Sequence, residues 1–283
     1  MRNTLMVLAL AVVAGVGIYG MIGSPRAYSW VLGTVTALMV LSEAANVASP
    51  AALALDRIID VATGVGSTLA VAAAWQGVAR LWRQSDERAS LAGGVASKAV
   101  AAPFPPARGL HRLRAWQALQ GATSVALLAS INAIHALPSL PQALVSVVAV
   151  LLVPLPALVQ GTAQQEVQLR MLNRVLGCLC AALIAAPLLP LIGHLPLLCL
   201  LVLAVGVWLA AHVQSGSSRV SYIGTQFGVG FIMVFVQDHS WSPDASATLG
   251  RLLGIVLALA GLSAVIAAFS WVRKRVHVDR EAA

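Results

Sequence analysis

Long apolar segments constrain this sequence more than any other feature. Nine segments of about 20 residues each are long enough, as helices, to cross the hydrocarbon core of a bilayer. They are 4–22, 29–48, 58–79, 115–136, 143–161, 175–192, 195–213, 220–237 and 252–271. The sequence therefore predicts an all-α fold, a polytopic transmembrane helix bundle of about nine spans.

The composition supports a chain surrounded by lipid. Hydrophobic residues make up 59% of the sequence and charged residues only 10%, whereas about 25% of a soluble domain is charged. The formal net charge of +8 raises nucleic-acid binding as an alternative. We reject it because the basic residues do not form one face but follow the ends of the apolar segments, as an orientation signal does.

The basic residues predict an orientation with the C-terminus in the cytoplasm. Lys and Arg favour cytoplasmic loops, and all but three of the 18 Lys and Arg residues then fall on that side. The cytoplasmic stretches are 23–28, 80–114, 162–174, 214–219 and the tail from 272. The exceptions are Arg2, Arg57 and Arg251.

Four regions follow from these segments. A partial first membrane repeat of three helices covers 1–79, a cytoplasmic linker 80–114, a second repeat of six helices 115–271, and a basic tail 272–283. Prolines at 103–106 prevent a continuous helix through the linker, and Pro154 and Pro156 should kink or break the helix near 154. Residues 1–28 are predicted to be a retained helix, with a cleaved signal peptide as the alternative.

An internal repeat relates residues 26–66 to residues 219–260. Matched positions share residue type and order: Arg26 with Arg219, Gly33-Thr34 with Gly224-Thr225, Ser49-Pro50 with Ser242-Pro243, and Arg57 with Arg251. Both copies begin on the predicted cytoplasmic side, so the repeat is parallel, as in some transporters. If the two repeats were equal, about three helices would be missing before Met1, or Met1 would be an internal start.

Short glycine motifs carry a resemblance to a known family. They are Arg-x-x-Gly at 174–177, Tyr-x-Gly at 222–224 and Arg-x-x-Gly at 251–254. Residues 174–261 resemble the C-terminal membrane half of the fusaric-acid-resistance family, which includes the aromatic carboxylic acid efflux pumps of Gram-negative bacteria. Residues 26–79 look like the end of its first half.

The resemblance implies a bacterial inner-membrane transporter. It implies two six-helix halves, proton-coupled efflux of aromatic or other weak organic acids, and a periplasmic adaptor protein as partner. Compared with that family, this sequence is expected to lack the first three helices and to have only a linker in place of the cytoplasmic domain between the halves.

Ionisable side chains near membrane spans are the main site candidates, because such groups are costly in lipid. Arg57 and Arg251 begin helices on the predicted outer side, where they would bind an organic anion or serve as interfacial anchors and ion-pair partners. Glu43, Asp60 and Asp238 are candidates for proton coupling, with hydrated helix ends as the alternative. Asp60 follows Arg57 by three residues, a spacing that also suits a local ion pair.

A polar stripe runs along the helix predicted at 115–136. Gln117, Ser124, Asn132 and His135 share one face, which must turn toward protein or a watery cavity. The two interpretations are a transport pathway, with His135 carrying protons, and ordinary hydrogen bonding between helices. Tyr222 and Gln226, on span 220–237, are further pathway candidates.

Other functional classes find less support in the residues. Cys178, Cys180 and Cys199 lie within apolar spans without metal-ligand spacing, so no metal or cofactor is predicted. A membrane enzyme is disfavoured because no acid–base or nucleophile cluster occurs on one membrane side. Besides transport, the remaining hypothesis is a non-transporting membrane subunit or remnant that needs a partner. Membrane lipid and a second copy of the chain, in a homo-oligomer, are further predicted partners.

Overall fold

The chain folds as a set of α-helices. In this computed structural model the described residues are 2–44, 46–86, 107–137, 139–216, 218–235 and 246–281, and their regular structure consists of ten helices. The helices are α1 Arg2–Met21, α2 Ala27–Glu43, α3 Pro50–Asp86, α4 Ala107–Ile134, α5 Leu140–Leu151, α6 Leu155–Val159, α7 Ala163–Ile192, α8 Pro196–Gln214, α9 Ser218–Phe235 and α10 Ser246–Glu281. This confirms the predicted all-α class.

Five of these helices contain stretches long and apolar enough to cross a membrane. Those stretches are Asn3–Met21, Pro50–Ala79, Ala163–Ile192, Pro196–Gln214 and Leu249–Val272. Helices α2, α5 and α9 carry shorter apolar stretches, and the polar stripe of α4 lowers its hydropathy. The chain is thus an all-helical protein with five candidate membrane spans among its described residues, and the count of nine stays a prediction.

Several helix ends differ from the predicted spans. Helix α3 continues to Asp86 and α4 begins at Ala107, so both extend into the predicted linker, while α10 continues through the tail to Glu281. The predicted span 143–161 is divided: α5 ends at Leu151, and α6 begins at Leu155 after Pro154. Proline lacks the backbone donor that a continuous helix would need there, so the expected break at 154 is confirmed.

Two compact units make up the chain: Met1–Ser42 with Ala107–Ala283, and Glu43–Pro106. The smaller unit contains α3, a helix of 37 residues and therefore about 55 Å long. Apolar side chains along α3, such as Leu69 and Trp75, are exposed. That exposure suits a helix whose surroundings are hydrocarbon.

In the larger unit, α5 is the most buried helix and contacts α4, α7 and α10. Helix α1 packs along α4, α7 packs along α9, and α8 covers another side of α9. Three phenylalanines follow one another by one turn on α9: Phe227 and Phe231 stack with ring centroids 5.4 Å apart, and Phe235 lies tilted against Phe231 at 4.9 Å. This packing places α9 between α7 and α8.

Candidate functional site: a buried arginine among three helices

A buried arginine, Arg174, lies where α5, α7 and α9 meet. Only 2% of the residue is exposed, although it was predicted to lie in the cytoplasmic stretch 162–174. Its Nε donates to Ser146 Oγ on α5 at 3.0 Å, and its Nη1 donates to Gln226 Oε1 on α9. Helix α7 begins at Ala163, so Arg174 lies about 16 Å along that helix.

The charge of Arg174 has no carboxylate partner within the described part of the chain. The nearest acidic residue on its own helix, Glu166, pairs with Arg170, whose Nε lies 3.0 Å from Glu166 Oε1. Ser146 and Gln226 are neutral, so they satisfy hydrogen bonds without balancing the charge. A buried charge is retained at considerable energetic cost unless it is paired, and this makes Arg174 a candidate for binding an anion.

Tyr222 joins the cluster from α9, one turn before Gln226. Its hydroxyl donates to the backbone oxygen of Ala149 at 3.4 Å and lies close enough to Arg174 to interact with its guanidinium. The Arg170 guanidinium carbon lies 5.2 Å from the centre of the Tyr222 ring, within the range of a cation–π contact. Tyr222 therefore faces Arg170 and Arg174 of α7, and Gln226 faces Arg174.

A small cavity of about 30 Å³ adjoins Gln226. Its polar lining comes from Gln142 on α5, Gln226 on α9 and Arg251 on α10, with Cys178 of α7 beside them. Arg251 also donates to the backbone oxygen of Met233 in the last turn of α9. Met233 lies about 10 Å along α9 from Gln226, and Gln226 both contacts Arg174 and lines the cavity that Arg251 lines.

The glycines of the resemblance motifs are points of close helix contact. A Cβ at Gly177 would lie 2.7 Å from Gln226 Cβ, and one at Gly254 would lie 2.9 Å from the backbone oxygen of Ser139. A Cβ at Gly224 would lie 2.7 Å from the backbone oxygen of Ala210. In the two Arg-x-x-Gly motifs, the glycine thus allows close contact with a neighbouring segment: Gly177 of α7 contacts α9, and Gly254 of α10 contacts Ser139.

The candidates of the smaller unit form a separate ion-pair group. Arg57 lies 3.8 Å from Glu43 and 3.8 Å from Asp60, measured between the nearest nitrogen and oxygen atoms. About a third of the Arg57 side chain is exposed, and Asp60 is exposed to a greater extent. Arg57 thus has local acidic partners, including the predicted pair with Asp60.

The polar stripe of α4 divides into a buried and an exposed part. Gln117 and Ser124 are buried, and the Ser124 hydroxyl donates to Gln120 O in its own helix at 2.8 Å. Asn132 accepts a hydrogen bond from the Leu137 backbone at 3.0 Å, and His135 is exposed. None of the four borders the cavity beside Gln226. The buried part of this face packs against other helices in the larger unit.

The sequence pattern predicted part of the cluster but not its central residue. Tyr222, Gln226 and Arg251 were candidates, whereas Arg174, Ser146 and Gln142 were not. Arg174 did appear in the Arg-x-x-Gly motif, which was the available signal. Asp238, the remaining candidate, lies outside the described residues.

Comparison with known protein families, with curated proteins and with solved structures finds no match to this chain. The class of the protein is therefore described by its fold and its site. It is an all-helical protein with apolar helices long enough to span a membrane, and it has a cationic side chain, Arg174, buried inside the bundle.

Proposed function

We propose that this chain is a bacterial inner-membrane transporter that exports small organic anions, namely aromatic or other weak organic acids, in exchange for protons. The observation that carries the proposal is Arg174. Its guanidinium is buried among helices and held by neutral side chains, with no carboxylate pairing to it among the described residues. The carboxylate of a substrate is the counter-charge that suits this site, because guanidinium and carboxylate form two parallel hydrogen bonds.

The arrangement of polar groups supports a path for that anion along the bundle. Gln226 contacts Arg174 and lines the cavity that Arg251 also lines. An anion leaving Arg174 would meet an amide group and then a second guanidinium. In this proposal Arg174 and Arg251 bind the substrate in turn, and Gln226 and Tyr222 orient it.

Movement of α9 relative to α10 is part of the proposal. A cavity of about 30 Å³ holds about one or two water molecules, which is too little for an aromatic acid. We infer that the structure is a closed state and that opening breaks the contact between Arg251 and Met233. Proton coupling is assigned to the carboxylates of Glu43, Asp60 and Asp238 and to His135.

The orientation in this proposal places the C-terminus in the cytoplasm, because that arrangement puts most Lys and Arg residues on the cytoplasmic side. A periplasmic adaptor protein and a second copy of the chain are the proposed partners. Neither is required for the chemistry at Arg174.

A second candidate function is a non-transporting membrane subunit. The small volume of the cavity, about 30 Å³, favours it, because a structural subunit needs no opening wide enough for a substrate. In that case Arg174 would act only by joining α5, α7 and α9.

Transport into inside-out vesicles separates the two functions. The full chain would be expressed in an efflux-deficient bacterium, and uptake of radiolabelled 4-hydroxybenzoate and fusaric acid measured with and without an imposed pH gradient. We expect gradient-dependent uptake that Arg174→Gln lowers at least about tenfold, an effect of the size expected for losing a charge-assisted contact. Arg112→Gln, at an exposed position of α4, removes the same charge and should leave uptake unchanged.

Absence of uptake by the correctly inserted, unaltered chain would favour the subunit. Equal losses for Arg174→Gln and Arg112→Gln would show that net charge, and not the buried site, is responsible.

A further inference from the structure

A groove of about 580 Å³ separates parts of α1 and α2. Its walls are apolar on the α1 side, with Val12 and Val16, and it is bordered on the α2 side by Trp30 and Gly33. We propose that this groove binds one anionic glycerophospholipid, with an acyl chain between the helices and the phosphate at Arg26. The site is distinct from the cluster around Arg174 and does not depend on the proposed transport function.

The shape of the groove follows from where the two helices touch. Gly17 faces Thr34 and Gly20 faces Trp30, because these glycines lack the Cβ that would collide there. A Cβ at Gly33, in contrast, would meet no heavy atom within 4 Å. The helices are thus in contact at Gly17 and Gly20, while open space beside Gly33 is wide enough for a hydrocarbon chain.

Positive charge lies at the end of the groove where α2 begins. Arg26 lines the groove directly before the first residue of α2, and Ser29 lines it within the first turn. The backbone N–H groups of a helix N-terminus also attract anions. No carboxylate among the described residues forms a salt bridge with Arg26.

A second arginine reaches the same turn from α4. A Cβ at Gly23, three residues before Arg26, would lie 2.8 Å from Nη2 of Arg114. The Nε atom of Arg114 is buried and has no hydrogen-bond partner in the described part of the chain. The turn between α1 and α2 thus has two guanidinium groups beside it, Arg26 at the groove and Arg114 at Gly23.

These features together favour a lipid, rather than a soluble anion, as the ligand of the groove. Helix α1 is a candidate membrane span, so an apolar groove open along its side is filled by hydrocarbon when the chain lies in a bilayer. Basic groups beside gaps between membrane helices bind anionic lipid headgroups. Trp30 at the groove edge suits the interface between headgroups and acyl chains.

Native mass spectrometry of the full chain tests the proposal. The chain would be released from micelles containing equal amounts of phosphatidylglycerol and phosphatidylcholine, and the bound lipid identified. We expect one phosphatidylglycerol molecule to be retained preferentially. Arg26→Gln should lower that preference at least about fivefold, and Arg112→Gln, which removes the same charge from an exposed position, should not.

A second pair of variants tests the acyl-chain part of the site. Gly33→Phe should fill the groove without a clash and reduce retention of phosphatidylglycerol. Gly64→Phe is the control, because a Cβ at Gly64 also meets no heavy atom within 4 Å but lies on α3, outside the groove. Glycerol phosphate, which has the headgroup charge without acyl chains, should not displace the lipid.

Three results would overturn the proposal. One is equal retention of the two lipids by the unaltered chain. Another is unchanged retention in both Arg26→Gln and Gly33→Phe. The third is displacement by glycerol phosphate at concentrations similar to those of the lipid, which would mean that the groove contributes nothing and a simple phosphate site is present.

Discussion

Arg174 on α7 donates a hydrogen bond to Gln226 on α9, across 52 positions of the sequence. Gly177, one turn after Arg174, makes this contact close because a Cβ at that position would lie 2.7 Å from Gln226 Cβ. The two helices are therefore held together by a buried polar contact directly beside a glycine.

Gln226→Leu should destabilise the larger unit. It removes the acceptor of Arg174 and leaves a buried guanidinium one hydrogen bond short, which costs about 1.5–3 kcal/mol. Arg174→Met should cost less, because it also removes a buried charge. The double variant should lose less free energy of unfolding than the two single variants lose together, by about 1–2 kcal/mol.

Unfolding in mixed detergent micelles gives the free energies for this double-mutant cycle. Additive effects of the two substitutions would contradict an energetic link between Arg174 and Gln226.

Gly177→Val should separate α7 from α9. The new side chain meets Gln226 Cβ and the backbone oxygen of Ile223, both at 2.7 Å from the Cβ position, and overpacking of this kind costs about 1–3 kcal/mol. Gly66→Val is the matched control, because a Cβ at Gly66 meets nothing within 4 Å. Thermal unfolding in detergent should show a lower midpoint for Gly177→Val alone, and equal midpoints would show that the close approach is not needed.

Arg57→Ala should have little effect on stability. The ion pairs of Arg57 with Glu43 and Asp60 are both 3.8 Å long and partly exposed, and exposed pairs contribute less than about 1 kcal/mol. The same unfolding measurement applies, with Glu43→Gln as a companion variant. A loss above about 2 kcal/mol would show that this group is more strongly coupled to the fold than its geometry indicates.

Cys178 should report on opening of the cavity. It is buried and lines the cavity, so a water-soluble thiol reagent should modify it slowly in a chain carrying Cys180→Ala and Cys199→Ala. If α9 and α10 separate during transport, addition of 4-hydroxybenzoate should raise the rate of modification several-fold. The labelling rate is measured by mass spectrometry, and a rate independent of every transported acid would argue against the proposed opening.

Reporter fusions should test the orientation that the charges predict. Alkaline phosphatase, active only outside the cytoplasm, should be inactive when fused after residue 283 and active when inserted in the turn at 46–49. Green fluorescent protein should give the opposite pattern. A fluorescent insertion at 46–49 together with an active C-terminal phosphatase would reverse the proposed topology.

Much of the fold followed from local properties of the sequence. Apolar length placed the helices to within several residues in most cases, and the missing donor of Pro154 placed the break between α5 and α6. The position of Arg174 was predicted incorrectly from the same local properties. An arginine just before an apolar segment is typical of a cytoplasmic loop, so Arg174 was assigned to one. Extension of α7 back to Ala163 instead placed Arg174 within the helix.

The sequence by itself determined an all-helical chain with stretches long and apolar enough to span a membrane, an asymmetric distribution of charge, and a set of polar residues in apolar surroundings. Hydropathy, helix length and proline geometry are local quantities, and for this reason they can be read along the chain. Only the tertiary structure decided which polar residues meet. Gln226 lies beside Arg174 because of how α7 and α9 pack, whereas Gln117 and Ser124 packed into another part of the bundle. Contacts between residues distant in sequence depend on the packing of whole helices, which no local pattern specifies.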